Sequence, residues 1–98
     1  MLYPNKDGAK FDMNYYLTKH IPLVRERCGA AVKAVTVEQG LGGGAPGSPA
    51  AFAAIAHIGF VGLAELQSAL GAHAAELMAD IPNFTNVEPV LQISEVKM

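Results

Sequence analysis

"FDMNYYLTKHIPL", residues 11–23, is the stretch on which the reading of this chain turns. Asp12 is suited to N-cap a helix beginning at Met13. At about 100° per residue, Met13, Tyr16, Leu17, Leu23, Val24 and Arg27 fall within about 60° of His20. Asn14, Thr18, Arg25 and Glu26 fall on the far side. The helix is therefore amphipathic, with His20 in the middle of its apolar stripe. Pro22 removes a backbone donor and crowds the preceding turn, so a kink is expected beside His20. Gly29 is placed to stop the helix.

Before the helix, "MLY" is a short apolar piece, and "PNKDG" is turn chemistry. After it, "AAVKAVTVEQ", Ala30 to Gln39, is rich in valine and threonine and reads as a strand. "GLGGGAPGSP", Gly40 to Pro49, can be neither helix nor regular strand, and is expected to be the most mobile internal segment. In "AAFAAIAHIGF", Phe52, Ala54, Ala56, Ile58 and Phe60 share one face, and Ile55 and His57 share the other; a strand apolar on both faces is central. "GLAELQSALGAHAAELMAD" carries Leu63, Leu66, Leu70, His73 and Leu77 at helical spacing. Gly71 weakens its middle, so the segment reads as one helix or two short ones. "IPNFTN" is a turn. "VEPVLQISEVKM" alternates like a strand that Pro89 confines to an edge or an irregular start.

Strand, helix, strand, strand, helix, strand is the ferredoxin-like βαββαβ order. It is an α+β fold with an antiparallel sheet and both helices on one face. All 98 residues make one domain. The other sheet face would be bare in one subunit. Val35, Val37, Ile55 and Val90 make an exposed apolar sheet unfavourable, so a homodimer joined through its sheets is expected.

Composition narrows the function. Hydrophobic residues form 51% of the chain, which excludes disorder. Seven basic residues against nine acidic ones leave no basic stripe, so nucleic acid is not the expected partner. The longest apolar run, Ala50 to Ala56, is far shorter than the roughly 20 residues that span a membrane. Cys28 is the only cysteine, which excludes an internal disulfide and fits the cytoplasm.

Taken together, "YPN…G…FD…YY…KHIPL", "GL" before a Gly-rich loop, and "ADIPNFT…PVLQISEV" resemble the EthD family from Tyr3 to Val96. The resemblance implies a dimeric α/β barrel. EthD itself is named for its association with bacterial degradation of alkyl ethers beside a cytochrome monooxygenase system, and the family is filed loosely under oxidoreductases. Relatives on the same barrel include muconolactone isomerases, polyketide cyclases, dehydratases and cofactor-free monooxygenases. Members usually have a fuller first strand before "YP". Here Met1 and Leu2 alone precede it, so an upstream start, the dimer or a loop is expected to fill the gap.

His20 is the leading candidate for chemistry, since imidazole exchanges protons near neutral pH. A histidine on an apolar stripe is more often a packed core residue; the motif and Pro22 balance that reading here. Tyr16, one turn earlier, would orient it or polarise a substrate oxygen. Asp80 would fix its tautomer, with an Asx turn at "DIPNF" as the competing role. Asn83 has the same turn-forming alternative, more strongly. Tyr3, Gln92, Leu17 and Val24 are the expected substrate-lining residues, although Tyr3 and Gln92 read more readily as structural. Tyr15 lies some 140° from His20 on the wheel and reads as a surface or dimer-contact residue.

His57, His73 and Cys28 are weaker candidates, and no spacing among histidines and carboxylates suggests a metal site. Cys28 sits at a helix C-terminus, where the dipole disfavours a thiolate. "GGGAPG", residues 42–47, matches G-x-G-x-x-G in letters only: a strand follows it rather than a helix. No cofactor motif is present. The expected function is a cofactor-free acid–base enzyme acting on a small, mostly apolar substrate in oxidative or xenobiotic catabolism. The alternatives are a non-catalytic accessory protein of an ether-degrading monooxygenase pathway and a purely structural dimer.

Overall fold

The central strand of the sheet runs from Phe52 to Phe60. In a computed structural model describing residues 1–98, β1 (Leu2–Pro4) pairs antiparallel with β3 (Phe52–Phe60), which pairs antiparallel with β2 (Val32–Gln39). The order is β1-β3-β2. On the other side of β1, Leu2 and Val90 exchange both backbone hydrogen bonds at 2.8 Å. That bridge occupies the place of the expected fourth strand.

The C-terminal segment is thus a correction to the sequence reading. Beyond Val90 it has no strand neighbour and no regular structure. β1 is only three residues long, so it offers little edge to pair with. Ile93 and Val96 stand 59% and 88% exposed.

The first helical segment runs through α1 (Met13–Tyr15), a π-helical turn (Tyr16–His20) and α2 (Ile21–Cys28). Asp12 Oδ1 accepts from the Tyr15 amide at 3.0 Å and caps it. Gly29 ends it with φ of 57°, the left-handed region that favours glycine. The second helix, α3 (Leu63–Ala79), is continuous through Gly71. Arg27 Nε donates to Glu76 Oε1 at 2.8 Å and ties α2 to α3.

Tyr3, Ala54, Ala56, Val35 and Val37 face the helices and pack with Tyr16, Ile21, Ile81, Phe84 and Val87. Val35 and Val37 therefore belong to the core, not to the uncovered face as the sequence reading had it. The register puts Val35 opposite Ile58 and Val37 opposite Ala56, on Tyr3's side. The uncovered face carries Leu2, Ile55 and Val90 with the polar Thr36, Glu38 and His57. The loop Gly40 to Pro49 leads directly into β3, and no helix follows its glycines. Gly43 N–H bonds the Ser48 carbonyl at 2.8 Å, closing the loop on itself. No helix is long and apolar enough to cross a membrane.

Candidate functional site

Pro22 shapes the site through the turn before it. The Ile21 N–H reaches back five residues to the Tyr16 carbonyl, so the expected kink takes the form of a π turn. The Thr18 hydroxyl bonds the Asn14 carbonyl at 2.7 Å and reinforces the distortion. In an i→i+5 turn the advance falls from about 100° to roughly 80° per residue. Tyr16 and His20, four residues apart, stay about 40° apart at either pitch, and their rings stack at 5.3 Å with an interplanar angle of 19°. Leu17 is carried off the stripe and stands 49% exposed.

The same change of pitch overturns the reading of Tyr15. Five residues at α-helical pitch separate it from His20 by about 140°; in the π turn the separation is roughly 40–50°. Its hydroxyl donates to Asp80 Oδ1 at 2.8 Å. His20 Nδ1 meets Asp80 Oδ2, also at 2.8 Å. Asp80 follows α3, and the Ile81–Asn83 turn brings the Asn83 amide back to Oδ1 at 3.0 Å. No Asx turn forms, since the carboxylate is taken up by these three side chains instead.

Burial works to raise the Asp80 carboxyl, but the bonds from Asn83, His20 and Tyr15 outweigh it and hold it below the ordinary aspartate range. The bond to Asp80 is also the main reason the Tyr15 phenol is raised. A carboxylate accepts only, so in the neutral ring Nδ1 carries the proton and Nε2 bears the lone pair. His20 is 4% exposed, between Tyr16 and Phe84, whose ring centroid is 4.7 Å from its own. Nε2 has no hydrogen-bond partner.

The fully buried unpaired atom is the Tyr3 hydroxyl. Burial, followed by the proximity of Tyr16, pushes the Tyr3 phenol far up, and no hydrogen bond of ordinary geometry joins the two hydroxyls. Burial raises Tyr16 as well. Both phenols stay protonated in an aromatic cluster with Phe11 and Phe84.

The remaining candidates scatter. Val24 is buried, 4% exposed. Gln92 lies in the exposed C-terminal segment and bonds the Ser94 hydroxyl. His57 lies on the uncovered sheet face, 3.5 Å from Glu38. His73 and Cys28 line a shallow depression of about 390 Å³ with Arg27 and Ala69. Burial pushes the Cys28 thiol up, away from thiolate. A second depression lies between Lys10 and Asn86. Neither includes His20. No three His, Cys, Asp or Glu residues stand close enough together to hold a metal ion.

No protein-family model matches the chain, and no curated protein does. Among solved structures, the chain is similar to the crystal structure of an EthD-like protein from Ralstonia eutropha JMP134. The two share 43% sequence identity with a TM-score of 0.93, over 99% of this chain and 87% of that one.

Proposed function

The chain belongs to the EthD-like family, and we propose that it is a small-molecule enzyme in which His20 transfers the proton. The observation that carries this reading is the polarised imidazole. Nδ1 is held by Asp80 at 2.8 Å, and Nε2 is left bare in apolar surroundings. A carboxylate on one nitrogen fixes the ring's orientation and aims the other. Isomerisation, dehydration, cyclisation and cofactor-free oxygenation of a small, mostly apolar compound all include a proton removal of the kind such a base performs. Tyr16, stacked on the imidazole, is the group we assign to orienting it, while Tyr3, fully buried beside it, packs the core. We place the activity in oxidative, xenobiotic-type catabolism in the cytoplasm, following the family resemblance and the single cysteine.

The working form we propose is a homodimer joined through the uncovered sheet faces. A folded monomer of 10.3 kDa exposes about 5,400 Å², whereas this chain exposes 6,496 Å². Its radius of gyration is 14.1 Å, against about 12.6 Å for a compact domain of this length. The excess comes from the C-terminal segment and the Gly40 to Pro49 loop together with the uncovered face, and is on the scale of one side of an ordinary interface, about 800 Å².

The test is solvent deuterium incorporation into a panel of small, apolar, enolisable ketones and lactones, with wild type and His20→Gln compared. Exchange that depends on His20 supports the enzyme. A second reading has its own observation: Tyr16 and Phe84 crowd the His20 ring, which favours a non-catalytic accessory role in an ether-degrading pathway. Binding of panel compounds without exchange would support that reading instead.

A further inference from the structure

We propose that Tyr15 is a positioning residue for His20, acting through the Asp80 carboxylate. The proposal rests on the reading of His20 as the proton-transfer group. It adds a residue and a reason for the π turn.

Asp80 has two oxygens with separate tasks. Oδ2 faces His20 Nδ1. Oδ1 receives the Tyr15 hydroxyl at 2.8 Å and the Asn83 amide at 3.0 Å. A carboxylate on a single bond rotates about its Cβ–Cγ axis, and that rotation would swing Oδ2 away from the imidazole. Two donors on Oδ1 stop it. Asn83 is exposed and lies three residues from Asp80, so it belongs to the same turn and moves with it. Tyr15 belongs to the other helical segment, five residues before His20. It references the carboxylate to the same backbone that carries the imidazole.

That reference exists only because of the π turn. At α-helical pitch Tyr15 and His20 could not both reach one carboxylate. π turns are rare inside α-helices, and they recur at functional sites. Here the turn has a definite product: residues i and i+5 on the two oxygens of one carboxylate. The Tyr15 ring also stacks on Phe84 at 6.3 Å with an interplanar angle of 25°. The ring is therefore held independently of its hydroxyl, and Tyr15→Phe removes the bond without removing the packing.

The test is nitrogen-15 and proton NMR of the His20 imidazole in the full chain near neutral pH, comparing wild type, Tyr15→Phe and Asp80→Asn. In wild type the Nδ1–H tautomer should dominate, with a slowly exchanging Nδ1 proton. Tyr15→Phe should remain folded with a melting midpoint lower by only a few degrees, speed exchange of that proton by roughly tenfold, the weight of one ordinary hydrogen bond, and admit the Nε2–H tautomer. Asp80→Asn should abolish the protected proton. If Asp80→Asn changes the signal and Tyr15→Phe does not, Tyr15 has no positioning role, while His20 as the base stands. If neither variant changes it, the Tyr15 proposal falls and the Asp80–His20 pair with it.

Discussion

His20 and Asp80 lie sixty residues apart in the chain and 2.8 Å apart in space, Nδ1 to Oδ2. The pair joins the π turn of the first helical segment to the end of α3. Structural and chemical roles meet in it, so each must be tested by a measurement the other does not control.

Asp80→Asn should cost at least about 2 kcal/mol at neutral pH, because three donors lose a charged acceptor. Folding holds the carboxyl below its ordinary value of 3.8. The stabilisation is therefore complete above that value and is lost as pH falls through the lower folded value. Urea unfolding from pH 7 to pH 2 should show the gap between wild type and Asp80→Asn closing below about pH 4. A gap that stays constant over that range would mean the ionised carboxylate is not what stabilises.

Tyr3→Phe removes a buried hydroxyl that has no partner. Its desolvation is uncompensated, so the variant should be more stable by about 1 kcal/mol. Chemical denaturation checks this. A less stable variant would show that the hydroxyl has a partner after all.

Gly29→Ala should destabilise by about 1–2 kcal/mol. Its φ of 57° strains an L-residue, although open space surrounds the position. Thermal melting checks this, and an unchanged midpoint would mean the helix end adapts.

Sedimentation at micromolar concentration should show a species near twice 10.3 kDa, and Ile55→Glu on the uncovered face should dissociate it. A wild-type monomer would remove the sheet-to-sheet dimer from the account.

The fold was largely legible because its signals are local. Valine-rich alternation marks β2, Asp12 caps the first helix and Gly29 ends it. The C-terminal strand was misread for a reason of context. Alternation in "VLQISEV" records a preference to pair, but β1 offers one bridge at Leu2 and no longer edge. The juxtaposition of His20 with Asp80 could be anticipated from the stripe on each helix. Tyr15 could not, because a helical wheel assumes one pitch, and Pro22 changes the pitch between the two residues being compared. A proline two residues past a histidine was the available signal; its effect on the register of Tyr15 was the step missed.

The central claim is that the bare Nε2 of His20 moves a proton, and the most direct measurement is the rate of deuterium incorporation. Wild type, His20→Gln, and the controls His57→Gln and His73→Gln should be compared on the panel compound that exchanges fastest. The account expects His20→Gln to remain folded, at a cost of about 1–3 kcal/mol, and to lose roughly 10²–10⁴-fold in rate, while both controls keep theirs. A folded His20→Gln that exchanges as fast as wild type would contradict it.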